Sequence, residues 1–204
     1  MSKKFLETVY DLSTPEQTRD LYDAWSGTYD AEIMDNGYAT PARIADALAR
    51  HLPDKTSEIL DFGCGTGISG QVLVDVGFKV IDGADLSADM LDVARQKGIY
   101  RALSQVAPGD PVPGGQGGYQ AITAMGVIGN GAAPVEVFDM LINALNPGGI
   151  FALSFNDNTL RNPEFEDRLR HHVQSGNARL LFQEYGPHLP GIGIKSNVYL
   201  LEKL

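Results

Sequence analysis

The sequence has very little cysteine and no long apolar run. Cys64 is the single cysteine among 204 residues, which excludes a disulfide within the chain and favours a reducing compartment. No apolar stretch reaches the roughly 20 residues that cross a membrane. Near the N-terminus, Glu7 and Asp11 interrupt the apolar residues, so a signal peptide is not expected. These absences predict a cytoplasmic protein with no membrane partner.

Basic residues are also scarce. The chain has 16 Lys and Arg against 26 Asp and Glu, a formal net charge of −10. Binding to nucleic acid depends on clustered Lys and Arg side chains. Arg168, Arg170 and Arg179 are scattered instead, so no nucleic-acid partner is expected. The length suits one domain with a sizeable core, while the composition leaves the oligomeric state open.

What the chain does have is an apolar run followed by alternating glycines. Residues 59–62 predict a buried parallel strand. Gly63, Gly65 and Gly67 follow, and residues 68–76 carry the apolar face of a helix. A strand, a glycine turn and a helix open a nucleotide-binding βαβ unit, because glycine permits a tight turn and lets a ligand approach the main chain.

The glycine spacing fits two classes of cofactor. Residues 65–70 match the G-x-G-x-x-G pattern of NAD-binding folds. Asp61 argues for the other class, because a carboxylate at the end of the first strand should point into the ligand crevice and repel a pyrophosphate. S-adenosylmethionine (SAM) has no phosphate and carries two positive groups, an ammonium and a sulfonium. Asp61 therefore favours SAM, and an NAD(P)-binding oxidoreductase is the alternative.

A second acidic residue supports the same choice. Residues 79–85 predict a second strand that ends in Asp85. A carboxylate at this place can accept hydrogen bonds from both ribose hydroxyls of an adenosine. Leu86 comes next and is placed to lie against the adenine, and Ser87 or Asp89 begins the following helix.

Together these segments resemble a known family. Asp-Phe-Gly-Cys-Gly-Thr-Gly at 61–67 and Gly-Ala-Asp-Leu-Ser-Ala-Asp-Met-Leu at 83–91 resemble the class I SAM-dependent methyltransferases, over about residues 20–155. More narrowly, Tyr-Asp-Ala-Trp-Ser-Gly-Thr-Tyr-Asp at 22–30 and Lys-Gly-Ile-Tyr at 97–100 resemble the Williams–Beuren-region methyltransferase-like proteins. The resemblance implies an α/β fold with a Rossmann-like, doubly wound, seven-stranded sheet, mostly parallel with an antiparallel last strand.

The remaining elements follow from periodicity and from start and stop signals. Residues 1–30 are predicted to be helical, with Thr14 as an N-cap. Further helices are predicted at 42–51, 134–145 and 163–174, and further strands at 100–106, 119–125, 150–155, 178–185 and 196–202, with a loop at 186–191. One methyltransferase domain is expected over 1–204, with residues 1–52 as N-terminal helices that form a lid and 57–204 as the Rossmann-like core.

The resemblance also implies which residues meet the cofactor. Tyr29 on the lid is placed to hydrogen-bond the methionine carboxylate, and Gln105 is placed on the adenine edge, where many relatives carry Asp. Val106 follows Gln105, and Met125 ends the fourth strand. The predicted cofactor-binding residues are Tyr29, Asp61, Gly63, Gly65, Gly67, Asp85, Leu86, Gln105, Val106 and Met125.

No residue is compelled to act as a catalytic base. The sulfonium of SAM is already activated, so the protein can work largely by positioning the acceptor. Tyr29, Asn130 and His188 are the candidates for a base or a substrate contact. His171 and His172 are adjacent and do not share a helix face, so no metal site is expected.

The predicted function is SAM-dependent methyl transfer to a small-molecule acceptor, with a protein acceptor as the less favoured case. The non-enzymatic alternative is a binding module that has kept the fold but does not transfer methyl groups, because a fold does not establish activity.

Overall fold

The computed structural model describes residues 15–204. The predicted N-cap Thr14 and the first part of the predicted N-terminal helix lie outside the described residues. The helices are α1 (Pro15–Trp25), α2 (Tyr29–Asp35), α3 (Thr40–His51), α4 (Ile68–Asp75), α5 (Ala88–Lys97), α6 (Glu136–Ala144), α7 (Asp157–Leu160) and α8 (Pro163–Gln174). The strands are β1 (Glu58–Phe62), β2 (Val80–Asp85), β3 (Ala102–Gln105), β4 (Ala121–Ala124), β5 (Ile150–Asn156), β6 (Ala178–Leu189) and β7 (Ile194–Lys203).

The strands form one seven-stranded sheet in the order β3-β2-β1-β4-β5-β7-β6. β1, β2, β3, β4 and β5 are mutually parallel, and β7 runs antiparallel to both β5 and β6. The strand order reverses between β1 and β4, so the carboxyl ends of these two strands open the crevice where ligands bind in such sheets. The predicted fold class, including the antiparallel last strand, is confirmed.

Both faces of the sheet are covered by helices. Successive residues of a strand point to opposite faces, so Leu60 packs on the side of α6, against Phe138 and Leu141. Its neighbour Ile59 packs on the opposite side with Leu48 of α3 and with α4. This burial on both faces explains why β1 is a continuous apolar run in the sequence. It also places α3 in the layer that covers the sheet.

The N-terminal segment differs from the predicted single helix. α1 ends at Trp25 and α2 begins at Tyr29, with a turn between them in which the Thr28 amide donates to the Trp25 carbonyl at 2.9 Å. Gly27 lies in this turn, and glycine weakens a helix interior. Tyr22, Trp25 and Tyr29 pack in one hydrophobic cluster, but they belong to two helices.

The C-terminal hairpin is longer than predicted. β6 continues to Leu189 through a register shift beside Pro187, so most of the predicted loop is strand. Proline cannot donate to a ladder and is tolerated at an edge or an irregularity, and β6 is the edge strand. The extension carries His188 into the protein interior, where it is 5% exposed. Within residues 15–204, no helix has both the length and the apolarity to span a membrane.

Candidate active site

The glycine turn after β1 lies at the carboxyl edge of the sheet. Gly63 and Gly65 have φ of +72° and +52°, values that side chains disfavour. A Cβ at Gly63 would lie 2.3 Å from Val127 Cγ2, whereas a Cβ at Gly65 would meet nothing within 4 Å. Gly63 therefore permits close packing against the loop after β4. Gly65 leaves open space beside bare main chain, which is the room that a bound ligand requires.

Asp61 lies beneath this turn. Its side chain is fully buried, and its carboxylate accepts hydrogen bonds from the hydroxyls of Ser69 at 2.6 Å, Tyr100 at 2.8 Å and Thr123 at 2.9 Å. Burial raises the pKa of Asp61, and the hydrogen bonds from Ser69, Tyr100 and Thr123 oppose that rise. In the structure Asp61 ties β1, β4 and α4 together under the glycine turn, and its contact with the cofactor stays a prediction.

Asp85 closes the other side of the turn. Its two carboxylate oxygens accept from the backbone amides of Gly65 at 2.8 Å and Ser87 at 2.9 Å. Burial raises the pKa of Asp85, against hydrogen bonds from the Ser87 and Gly65 amides that lower it. Each oxygen can accept more than one hydrogen bond, so the carboxylate keeps capacity for two ribose hydroxyls. Asp85 thus links β2 to the glycine turn.

The predicted adenine side lies at the end of β3. Gln105 is paired in register with Asp85, and its side-chain amide donates to the Leu86 carbonyl at 3.1 Å. The Val106 amide donates to the Asp85 carbonyl at 2.9 Å. The structure therefore brings Leu86, Gln105 and Val106 together beside Asp85. The Gln105 side chain is on the surface of this group, with its carbonyl oxygen still able to accept.

Met125 stands apart from the other predicted cofactor residues. Its side chain is buried in the cluster formed with α3 and α4. Its backbone carbonyl accepts from the Tyr38 hydroxyl at 3.3 Å. The polar part of Met125 that reaches the edge of the sheet is thus its main chain.

Two carboxylates that were not predicted as site residues hold α1 and α2 over the glycine turn. Asp30 on α2 accepts hydrogen bonds from the Thr66 hydroxyl and, at 2.7 Å, from the Lys97 ammonium. Asp23 on α1 accepts from the Ser87 hydroxyl. Thr66 and Ser87 flank the glycine turn and Asp85 respectively. The sequence offered one indication of this contact: segments 22–30 and 97–100 both carry the family resemblance, and Lys97 donates to Asp30 in the structure.

Aromatic rings line the inner surface of α1 and α2. The rings of Trp25 and Tyr29 meet edge to face, with centroids 4.8 Å apart, and Tyr22 stacks on Trp25 at 5.9 Å. Burial raises the pKa of Tyr29, and the nearby Asp85 carboxylate adds to that rise. Tyr29 is therefore a neutral phenol close to the predicted ribose site.

A pocket lies between this aromatic surface and the carboxyl ends of β4 and β5. Among the described residues, its lining contains aromatic, aliphatic, small and amide side chains and no Asp, Glu, Lys or Arg. The lining residues are Tyr22, Trp25, Tyr29, Ile33, Tyr38, Gly126, Ile128, Gly129, Asn130, Gly131, Ala132, Ser154, Asn156, Thr159, His188 and Leu189. Ligands of doubly wound sheets bind at this edge, so the pocket is the candidate acceptor site.

Two of the three residues proposed as a base or substrate contact occupy the far side of this pocket. His188 comes from the extended β6, and its burial lowers its pKa to about 4, with the positive charge of Arg43 lowering it and Asp157 opposing. The imidazole is therefore neutral near pH 7. Asn130 lies in the loop after β4 and donates to the Asn158 carbonyl at 3.1 Å. Both residues line the pocket together with Tyr29.

Ser154, Asn156 and Thr159 were not predicted as pocket residues. The Ser154 hydroxyl accepts from the Gly126 amide at 3.1 Å. Asn156 caps α7 by accepting from the Asn158 and Thr159 amides. The sequence signal for α7 is the Asn-Asp pair after β5, because Asn is a favoured N-cap.

The His171–His172 pair lies away from the pocket. His172 is buried, with Nε2 2.7 Å from Asp139 and Nδ1 bonded to Asn177, while His171 is exposed. Within residues 15–204, no group of three or more His, Cys, Asp or Glu side chains is arranged to hold a metal ion.

The family follows from comparison with known proteins. Residues 37–190 match the family model described as a methyltransferase domain. The chain belongs to this methyltransferase family. The family predicted from the sequence is confirmed, and with it SAM as the cofactor. Membership also decides between the two cofactor classes that the glycine motif left open.

Curated relatives support the family from sequence. This chain is 32% identical over 142 residues to Methyltransferase-like protein 27 of Homo sapiens, and the match spans 68% of this chain and 58% of the relative. It is 28% identical over 129 residues to a ubiquinone biosynthesis O-methyltransferase of Xylella fastidiosa, 59% of this chain and 50% of the relative. The matches thus span about half the length of these curated relatives.

Solved structures share the fold. Magnesium protoporphyrin IX methyltransferase of Synechocystis PCC 6803, solved with bound SAH, has a TM-score of 0.70 at 15% identity, covering 94% of this chain and all of that chain. The [4+2]-cyclase SpnF has a TM-score of 0.59 at 17% identity, covering 79% and 80%. Identities this low establish the architecture alone.

One prediction concerns the contact between α2 and the glycine turn. Asp30→Ala removes the carboxylate that accepts hydrogen bonds from Thr66 and Lys97. Losing these contacts should cost about 1 kcal/mol, because the carboxylate is partly exposed to solvent. We expect faster tryptic cleavage after Arg19 on α1 and a few-fold weaker SAM binding. Asp35→Ala removes an exposed carboxylate from the same helix and is the matched control. Equal cleavage rates in the two variants would contradict the docking role of Asp30.

Proposed function

We propose that this chain transfers the methyl group of SAM to a small-molecule acceptor bound in the pocket beneath α1 and α2. The observation that carries the proposal is the position of that pocket. It lies at the carboxyl ends of β4 and β5, where the loop after β4 packs against Gly63 and where Tyr29 is near the Asp85 carboxylate. Among the described residues its lining is uncharged and rich in aromatic rings. Such a lining suits a compact, largely apolar molecule with a few polar groups.

The residues around the glycine turn fit the cofactor. Open space at Gly65 accommodates the ligand against main chain, and the Asp85 carboxylate has the acceptor capacity for two ribose hydroxyls. Leu86, Gln105 and Val106 would hold the adenine, and Tyr29 would face the methionyl end. Asp61 would act by holding the turn in place. SAM supplies a methyl group on a sulfonium that is already activated toward a nucleophile.

The protein's own contribution is positioning in a site shielded from water. α1 and α2 cover the pocket, and Trp25 is only 1% exposed. Aligning the acceptor with the methyl group removes much of the entropic barrier to a bimolecular step. A base is required only when the acceptor atom keeps its proton at neutral pH. Catalysis by positioning, without a charged catalytic group, agrees with the pocket, because its described lining contains no carboxylate or ammonium group.

The cover over the pocket favours a small acceptor over a protein side chain. A protein substrate would have to reach the pocket past α1 and α2, which are tied to the turn by Asp23 and Asp30. We also propose a lid made of these two helices and, from the single buried thiol of Cys64, a reducing compartment such as the cytoplasm.

A non-methylating role is the second candidate. It is favoured by one observation: a chain of the same fold, SpnF, is described as a [4+2]-cyclase, so the architecture also hosts other chemistry. A binding module without turnover falls in the same class.

Transfer of labelled methyl groups tests these proposals. Purified protein is incubated with methyl-tritiated SAM and with a cell extract divided by ultrafiltration into low-mass and protein fractions. We expect label to move into the low-mass fraction. Ala132→Trp, which fills the pocket wall, should reduce that transfer at least tenfold while SAM affinity stays within about twofold. Label entering only proteins would favour a protein acceptor, and SAM binding without transfer would favour the binding module.

A further inference from the structure

A chain of four polar side chains runs from Arg43 of α3, which contacts Glu184 of β6, to the pocket. Arg43 Nη1 donates to Ser196 Oγ at 3.1 Å. Ser196 Oγ lies 2.8 Å from Thr40 Oγ1, and Thr40 Oγ1 lies 2.8 Å from Nδ1 of His188. Thr40 and Ser196 are fully buried, and His188 is 5% exposed. Buried hydroxyls need both a donor and an acceptor, so the direction of these bonds can be worked out.

Arginine fixes the direction, because a guanidinium only donates. Ser196 Oγ accepts from Arg43 and must pass its own proton on. Within residues 15–204, Thr40 is the only other partner recorded for Ser196 Oγ, so Ser196 donates to Thr40. The Thr40 hydroxyl then donates to Nδ1 of His188. The opposite direction would leave the Ser196 proton buried without an acceptor, at a cost of about 1–3 kcal/mol.

A neutral imidazole that accepts at Nδ1 carries its proton at Nε2. No hydrogen-bond partner is recorded for Nε2 within residues 15–204, and His188 lines the pocket. The low pKa of the ring, set mainly by burial and lowered further by Arg43, agrees with a neutral form. Nε2 therefore faces the pocket as an N–H donor.

We propose that His188 binds an oxygen of the acceptor through Nε2–H and so selects acceptors that carry a carbonyl or carboxylate group within reach of this nitrogen. The assignment replaces the earlier candidacy of His188 as a general base, because the nitrogen that faces the pocket already holds a proton. It rests on the proposed function for the identity of the pocket, while the direction of the bonds rests on geometry alone. Thr40, Ser196 and Arg43 act as positioning residues that select the tautomer.

The tautomer is measured directly on the full chain. Long-range proton–nitrogen correlation spectra of the nitrogen-15-labelled protein at pH 7 report the protonation of each imidazole nitrogen. The His188 signals are identified by their loss in His188→Gln. We expect an unprotonated Nδ1 and a protonated Nε2. Thr40→Val removes the donor to Nδ1 and should shift the ring toward a mixture of tautomers, while Thr40→Ser keeps the wild-type pattern. A protonated Nδ1 in the wild-type protein would overturn the assignment.

Benzoate, a flat carboxylate of suitable size, probes the donor role. On its addition we expect the His188 Nε2 resonance to shift, whereas benzylamine, which is of similar shape and has no acceptor oxygen, leaves it in place. His188→Gln, which retains an N–H, should bind benzoate within about threefold of wild type, and His188→Phe should bind at least tenfold more weakly. No shift up to the solubility limit, or equal binding by His188→Phe, refutes the proposal. Neither readout requires turnover, so methyl transfer and this assignment fail independently.

Discussion

Replacing Asp85 by alanine is expected to weaken SAM binding by about 1–3 kcal/mol, the range for hydrogen bonds to a charged acceptor, which is roughly 5- to 150-fold in Kd. The carboxylate is proposed to accept the ribose hydroxyls, and it also holds the amides of Gly65 and Ser87 at 2.8 and 2.9 Å. Its loss therefore removes ligand contacts and loosens the turn that carries them. Calorimetric titration with SAM measures the effect.

Asp89→Ala is the matched control for Asp85→Ala. Asp89 is an exposed carboxylate in the first turn of α5, four residues along the chain. Its removal should leave the Kd for SAM within about twofold, since a helix-terminal charge contributes little at an exposed site. If Asp85→Ala bound SAM as tightly as Asp89→Ala, the ribose assignment of Asp85 would be wrong.

Replacing Asp61 by alanine is expected to lower the free energy of unfolding by about 3 kcal/mol. The substitution leaves the hydroxyls of Ser69, Tyr100 and Thr123 without their acceptor in a buried site, at about 1–3 kcal/mol for each group that cannot turn elsewhere. Relief of the cost of burying a carboxylate offsets part of that sum. We further expect weaker SAM binding, because Ser69 lies in the first turn of α4, directly after the glycine turn. Urea denaturation followed by circular dichroism gives the stability change.

Asp46→Ala removes an exposed carboxylate from α3 and should shift the unfolding free energy by less than about 0.5 kcal/mol. Asp61→Asn keeps one acceptor oxygen and should fall between alanine and wild type. A variant in which SAM affinity drops as far as in Asp85→Ala, with stability unchanged, would instead mean that Asp61 contacts the cofactor itself.

Asp61 and Asp85 occupy similar sequence motifs but have different surroundings in the structure. Both end a parallel strand and both flank the glycine turn. Asp61 is enclosed by the hydroxyls of Ser69, Tyr100 and Thr123. Asp85 instead accepts from main-chain amides, among them those of Gly65 and Ser87.

Both side chains point to the same face of the sheet, because Asp61 is paired with Gly83 and Asp85 lies two residues further along β2. They differ because Asp85 lies beyond the last paired residues of β1 and β2, Phe62 and Ala84, at the level of the glycine turn. A motif places a residue at the edge of the sheet without fixing what surrounds its side chain.

The sequence by itself determined the seven strands, most of the helices between them, and the glycine turn. These features depend on short-range patterns: an apolar run that must be buried, glycines that must adopt positive φ, and Ser87, which caps α5 through the Met90 amide at 3.1 Å. Such patterns lie within a few residues of the structure that they produce. The family resemblance then supplied the cofactor and its neighbourhood.

Only the tertiary structure decided which residues line the pocket. Asp30 meets Thr66 across 36 residues, and His188 meets Thr40 across 148. No local pattern encodes contacts over such separations, because they depend on how α1, α2 and the β6–β7 hairpin pack against the edge of the sheet. His188 reached the pocket because β6 continued past Pro187 as strand. The direction of its hydrogen bonds was then set by the guanidinium of Arg43, which has only donors to offer.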